Sequence, residues 1–288
     1  MPKNLPKTVE QVSTTLKQNT YRSVVFDFDG TISLIRQGWR EIMIPMMVEI
    51  LSDIKTGETD PELEVLVANY VDNLTGKQTI YQMIQLCEEI EKRGGKAKEP
   101  LEYKQQFNTL LNNHIKNRIQ GLESGTLTAD DLMVIGTRNL LDNFQSRGLV
   151  LYLASGTDEA FVRQEAELLG VTPYFEDRIF GAQEQYQSFS KAQVIQNILK
   201  THAINGSELL GFGDGYVEIE NVKAVGGTTI GVASDEVNRE KLNPWKRERL
   251  ISVGADIIVP HYAEQETLIS HLCDRWKKYE PTNRQIDE

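Results

Sequence analysis

Two carboxylates, Asp27 and Asp29, stand two residues apart where the apolar run Ser23-Val24-Val25-Phe26 gives way to Gly30 and Thr31. Asp and Gly are ordinary turn formers. Two acids at the end of a buried strand nevertheless repel one another unless a cation or a reaction offsets them. Three further groups of this character lie downstream. Ser155 and Gly156 close the run Leu149-Val150-Leu151-Tyr152-Leu153-Ala154. They precede a helix expected near Asp158, so a hydroxyl and backbone N–H groups would face an anion. Capping of that helix is the competing use of Ser155 or Thr157. Lys191 follows Ser190 in a Ser-Lys-Ala-Gln capping pattern, which puts a cation at a helix start. The helix dipole disfavours a cation there unless an anion is close. Asp214 follows Leu209-Leu210-Gly211-Phe212-Gly213, and Glu218 stands one helical turn further on. Glu220, two residues round that helix, reads as a surface acid.

The elements that must position these groups alternate. Beyond Gly125 the pattern predicts helices over 129–147, 158–169, 191–201, 217–225, 239–252 and 263–277. Strands are predicted over 149–154, 178–181, 208–212, 228–232 and 255–259. Continuous apolar strands alternating with helices imply an α/β fold with a parallel sheet covered on both faces. Ligands of such sheets bind beyond the carboxyl ends of the strands, where all four groups fall. Residues 34–129 instead carry apolar positions at helical spacing, as in WREIMIPMMVEILSDI and IYQMIQLCEEIEKR, with Met43, Met46, Met47 and Cys87 as core. The expected organisation is an extension over 1–20 with a short helix at 8–17, an α/β core from 21–33 and 130–288, and a helical insert over 34–129. The polar tail 277–288 is expected to fray.

The segment 23–31 resembles motif one of the haloacid dehalogenase superfamily, a hydrophobic strand followed by D-x-D-G-T. The remaining groups follow in that superfamily's order. LVLYLASGT (149–157) is similar to motif two, SFSKAQVIQ (188–196) to motif three and LLGFGDGYVEIENVKAVG (209–226) to motif four, G-D-x-x-x-[DE]. Glu218 stands where Asp is the commoner residue. The insert between motifs one and two is similar to the helical cap of phosphoglycolate-phosphatase-like members. The resemblance implies a Rossmannoid parallel sheet with an inserted all-helical cap. It also implies a Mg²⁺-dependent, cytoplasmic phosphatase acting on a small phosphorylated metabolite, a sugar phosphate or a phosphoglycolate-like ester. Asp27 would be the nucleophile that forms an aspartyl-phosphate, and Asp29 the acid and base, oriented by Thr31. Thr31, Ser155, Gly156 and Lys191 would contact phosphate. Asp27, Asp29 through its carbonyl, Asp214 and Glu218 would surround the metal. Hard oxygen donors suit Mg²⁺, and an anion attacking a phosphate dianion needs positive charge around it.

Arg36 and Arg40, four residues apart, and Trp39 are expected to share a helix face near motif one and to contact substrate or the hinge. Salt bridges to neighbouring acids and a buried Trp are their structural alternative. A phosphomutase or an inorganic pyrophosphatase remains open on the same fold, as does a non-catalytic phosphometabolite-binding regulator. Asp29 argues against halide displacement. GFGDG (211–215) continues with Tyr216 where a dinucleotide loop needs Gly, and no P-loop occurs. A net charge of −11 over 288 residues opposes a broad grip on nucleic acid or anionic lipid. The two cysteines, Cys87 and Cys273, and the four histidines show no disulfide or zinc spacing, which fits a reducing compartment. No run is apolar enough to suggest a signal peptide or a membrane span. The sequence leaves the oligomeric state open.

Overall fold

The computed structural model describes residues 5, 6, 8–14, 16, 19–183, 185–188 and 190–272. The apolar runs become a seven-stranded sheet: β1 (Glu10–Gln11), β2 (Ser23–Phe26), β3 (Val150–Asp158), β4 (Ile179–Ala182), β5 (Leu209–Gly213), β6 (Thr228–Val232) and β7 (Ile257–Val259). Their order across the sheet is β1-β7-β6-β5-β2-β3-β4. β2 to β7 run parallel, and only β1 is antiparallel, against β7. Every residue of β2, β5 and β6 is buried, which explains why these strands read as unbroken apolar runs. β2 lies between β3 and β5, with Phe26 level with both Leu153 and Phe212. The carboxyl ends of the three strands therefore open onto one crevice.

Four helices fill the segment after the first long strand: α1 (Trp39–Ser52), α2 (Asp60–Asn73), α3 (Ile80–Lys92) and α4 (Pro100–Ser124). α2 starts at a capping box in which Glu62 accepts from the Thr59 N–H at 2.8 Å. α4 stops at Gly125, whose φ of 73° suits the left-handed cap that glycine favours. The remaining helices are α5 (Thr137–Ser146), α6 (Glu159–Leu168), α7 (Thr172–Phe175), α8 (Lys191–Thr201), α9 (Tyr216–Ala224), α10 (Pro244–Ser252) and α11 (Gln265–Leu272). The main apolar core runs without a break from Phe26, Phe144 and Phe212 at the sheet to Met43, Met47 and Leu51 in α1. Phe26 and Phe212 stack with centroids 4.8 Å apart.

Three expectations change. Among the described residues of 8–17, Glu10 and Gln11 form a strand in place of a helix. They cover the edge of β7, and Arg247 holds Glu10 through two contacts of 2.5 and 2.6 Å. The helix over 129–147 splits into a 3₁₀ turn, Ala129–Leu132, and α5. Between them Gly136, with φ 83°, lies so close to the backbone of Tyr262 that a Cβ would meet it at 2.6 Å. The helix over 239–252 begins only at Pro244, where the Asn243 side chain caps the N–H of Lys246. The last helix is α11 as far as Leu272; its expected continuation to 277, Cys273 and the tail lie outside the described residues.

Candidate active site

Asp27 leaves β2 with its N–H still bonded to the carbonyl of Phe212 at 2.9 Å, the last rung of the ladder. The chain then turns tightly, with the N–H groups of Ile32 and Ser33 donating to the Phe28 carbonyl at 2.8 and 2.9 Å. Gly30, at φ +73°, has to be glycine twice over, since a Cβ would also lie 2.1 Å from Oδ2 of Asp214. The turn thus sets the carboxylate of Asp214 directly against motif one.

Lys191 begins α8, whose cap Ser190 accepts from the Gln193 N–H at 3.2 Å. Its Nζ donates to Oδ1 of Asp27 at 2.8 Å and ion-pairs with Oε1 of Glu218. Burial pushes the Asp27 carboxyl up to about 6; Lys191 pulls against this, and Asp214 and Asp29 add to it. Oδ2 of Asp29 accepts from the Thr157 hydroxyl at 2.8 Å and from Ser155 at 3.5 Å, while its buried Oδ1 has no hydrogen-bond partner. Burial pushes Asp29, too, up to about 6, against the nearby Arg36 and with the repulsion of Glu165. One buried acid therefore carries an ammonium, and the other holds an oxygen ready to donate or take a proton.

The donor set suits a hard divalent cation. Asp27 and Asp214 bring two carboxylates to the same cleft, and the Asp29 carbonyl stands between them in sequence as a candidate third oxygen. Lys191 contacts only Oδ1 of Asp27 and Lys246 only Oδ2 of Asp214, leaving each acid a second oxygen. Among the described residues no three His, Cys, Asp or Glu side chains form a closed metal cluster. Two carboxylates completed by backbone and water is the arrangement Mg²⁺ favours over sites closed by side chains alone.

Asp27, Asp29, Ser155, Gly156, Lys191 and Asp214 all line one cleft, together with Arg36 and Trp39. Thr31, Glu218 and Arg40 do not. Thr31 is buried, its carbonyl accepts from the Tyr262 hydroxyl at 2.9 Å and its own hydroxyl has no partner. Thr157 takes the orienting role expected of Thr31, because the turn at Gly30 faces Thr31 inward. Glu218, in the first turn of α9, is turned to Lys191. Since α1 begins at Trp39, Arg36 lies in the preceding turn and shares no helix face with Arg40. Arg36 is fully buried in a two-pronged pair with Glu165 of α6, with contacts of 2.7 and 3.0 Å. Arg40 makes a similar pair with Asp72 of α2, at 2.8 and 2.9 Å.

Sequence reasoning missed Lys246 and Glu236. Lys246 Nζ lies 2.8 Å from both Asp214 and Glu236. Burial works against its charge, but the two acids outweigh this and hold the ammonium above its usual range. The signal that exposed Lys191, a cation in the first turn of a capped helix, was present here as Asn243-Pro244-Trp245-Lys246. Residues of the helical segment, among them Thr75, Lys77, Gln82 and Phe107, also line the cleft. The Lys77 carbonyl oxygen lies 2.5 Å from where a Cβ on Gly156 would stand. Lys104 and Asn108 of α4 hold Asp158, the latter at 3.3 Å. Gln78 donates to the Tyr186 carbonyl at 2.9 Å and Tyr216 to that of Asn73 at 2.8 Å.

Acids, hydroxyls and an ammonium converging at the carboxyl ends of a parallel sheet, with helices inserted after its first long strand, define an α/β protein of the haloacid dehalogenase type. Residues 21–226 match the family of haloacid dehalogenase-like hydrolases, and the chain belongs to that family. It is a hydrolase by that membership. No curated protein matches it in sequence. Among solved structures it is similar to a predicted phosphatase from Clostridium acetobutylicum, at 17% identity and a TM-score of 0.56 over 87% of this chain and 99% of that one. A predicted phosphoglycolate phosphatase from Haemophilus somnus 129pt aligns at 12% identity and a TM-score of 0.57, over 88% of this chain and all of the other. β-Phosphoglucomutase from Clostridium difficile aligns at 15% identity and 0.55, over 88% and 99%. These likenesses establish a shared fold.

Proposed function

We propose that the chain is a Mg²⁺-dependent phosphatase that hydrolyses a small phosphomonoester through an aspartyl-phosphate on Asp27. The observation that carries this reading is the pairing of unlike carboxyls, Asp27 held by Lys191 and Asp29 held by Thr157, in one cleft. A carboxylate oxygen of Asp27 attacks phosphorus, and the P–O bond to the leaving alcohol breaks. Asp29 gives its proton to the departing oxygen. A water then loses a proton to Asp29 and attacks the acyl phosphate, releasing inorganic phosphate and restoring Asp27. Ser155 and the N-terminal end of α6 bind the non-bridging oxygens, and Lys191 offsets their charge. A divalent cation held by Asp27, Asp214 and the Asp29 carbonyl would supply further neutralisation of the phosphoryl oxygens.

In this reading residues 34–129 act as a cap over the core formed by 21–33 and 130–288, and shield the acyl phosphate from stray water. The substrate in this reading is a small metabolite met in the cytoplasm. Among the described residues no helix is long and apolar enough to cross a membrane. The test is phosphate release from para-nitrophenyl phosphate, with Mg²⁺ or with EDTA, by the wild type and by Asp27→Asn. Metal-dependent release by the wild type alone is expected. Equal, metal-independent release by both proteins would overturn the reading.

A further inference from the structure

Asp158 stands at the N-cap of α6, where an Asp side chain ordinarily accepts from the free N–H groups of the first helical turn. Here it accepts from none of them. Both of its carboxylate oxygens are taken by α4 instead, Oδ1 by the ammonium of Lys104 and Oδ2 by the amide nitrogen of Asn108, the latter at 3.3 Å. Among the described residues this is the one ion pair between residues 39–124 and the rest of the chain. Lys104 is buried in making it. A buried charge pair adds little net stability, so its effect lies in where it puts the carboxylate. Asp158 lines the cleft next to Thr157, at the same helix end that the phosphatase reading gives to the phosphoryl oxygens. A helix N-terminus attracts a side-chain carboxylate and a phosphate alike, which makes the two competitors for one set of N–H groups. With α4 docked, the carboxylate is neutralised and held off the end of α6. With α4 lifted, it is free to cap α6 and to repel a phosphate dianion.

We propose that Asp158 is an internal competitor of phosphate whose position is set by Lys104 and Asn108, so that docking of α4 opens the anion site and its withdrawal favours release of inorganic phosphate. This regulation rests on the phosphatase reading for its ligand and on the contacts of Asp158 for its mechanism. Calorimetric titration of the full chain with inorganic phosphate, in Mg²⁺, tests it. Lys104→Met leaves Asp158 without its cation and should bind phosphate about tenfold more weakly than the wild type. Asp158→Ala removes the competitor, costs α6 no side-chain cap, and should bind at least as tightly as the wild type. Lys104→Met combined with Asp158→Ala should recover the lost affinity although the pair is absent, which a purely structural role of Lys104 would not allow. Undiminished binding by Lys104→Met, or a double variant as weak as Lys104→Met, overturns the proposal and leaves the phosphatase reading standing. Weaker binding by Asp158→Ala than by the wild type overturns it as well, whether or not Lys104→Met folds. Absence of phosphate binding by the wild type overturns both. The expected order of affinities without phosphate release from para-nitrophenyl phosphate would overturn the phosphatase reading alone and support this one.

Discussion

Lys246 Nζ lies 2.8 Å from Oδ2 of Asp214, so a carboxylate suited to hold a metal already carries a cation supplied by the chain. The same ammonium reaches Glu236 at 2.8 Å and can retain that partner when a divalent ion takes Asp214. Lys246→Met leaves two acids without their cation, and breaking a buried pair costs about 3 kcal/mol. In EDTA the variant should unfold at a lower temperature than the wild type. Mg²⁺ should then raise its Tm by more than it raises that of the wild type, because no ammonium repels the ion. Equal Mg²⁺-induced shifts in differential scanning calorimetry would show that Lys246 does not act on the metal position.

Thr157 donates to the oxygen of Asp29 opposite the unpartnered Oδ1, and that bond lowers the acid's affinity for protons. A hydrogen bond of this kind is worth about 1 kcal/mol, or nearly one pH unit. Thr157→Val should therefore raise the apparent pKa assigned to Asp29 in the pH profile of kcat/KM by up to about one unit. Thr157→Ser, which keeps the hydroxyl, should restore the profile. Thr31→Val should leave it in place.

The pH dependence of stability follows from the same two acids. Burial raises both Asp27 and Asp29 to about 6, so the folded, metal-free protein binds protons that the unfolded chain has released. Their contribution is fully present below the ordinary carboxylate range and is lost as pH rises through about 6. His202 and His261, which burial holds down, act in the opposite sense over a neighbouring range. Subtracting the urea midpoints of Asp29→Asn from those of the wild type, in EDTA between pH 5 and 7.5, isolates the carboxyl. The difference should move against the wild type as pH rises. With Mg²⁺ added the wild type's own midpoint should instead rise with pH, since protons compete with the cation at Asp27.

Arg36 and Glu165 are both within about 5% of full burial and pair across the join between the motif-one turn and α6. Arg36→Ala leaves Glu165 buried and unpaired, a loss of about 3–5 kcal/mol in urea denaturation. Replacing both, as Arg36→Met with Glu165→Leu, should recover most of that loss, because the penalty belongs to the unpaired charge. A double variant no more stable than Arg36→Ala would mean that packing of Arg36 over Phe161, 5.0 Å from its guanidinium, dominates.

What the sequence made legible and what it hid have separate physical causes. β2, β5 and β6 were readable because burial on both faces forces unbroken apolar runs. β1 was not, since two residues carry no period, and only the open edge of β7 selects them. Lys191 announced itself by standing against a helix dipole. Lys246 made the same announcement, but within a run of charges that reads as surface. The choice between Thr31 and Thr157 turned on fold geometry. Thr31 is two residues from Asp29 in sequence, yet the parallel register of β2 and β3 brings Thr157 to it across 128 positions. Arg36 and Arg40 were placed on one face by a spacing that holds only inside a helix, and α1 starts between them.

Gly156 supplies the remaining prediction, because the reason for glycine there differs from the one the motif suggests. A Cβ at 156 would stand 2.5 Å from the Lys77 carbonyl oxygen and 3.0 Å from its carbon. Both belong to the backbone of the loop between α2 and α3, which cannot yield as a flexible side chain would. Gly156→Ala should therefore push that loop off motif two and open the cleft to water while Asp27, Asp29 and Lys191 stay in place. The loop is tied to the core by Gln78 and, just before it, by the Asn73 carbonyl that Tyr216 holds. Displacing it should expose amides around 74–79 to faster hydrogen exchange. Turnover of a substrate with a bulky neutral body should fall through KM, and that of methyl phosphate, which barely reaches the loop, should change little. An equal fall for both substrates would place the damage at the phosphate site, as the motif alone implies, and would remove loop contact as the reason for glycine.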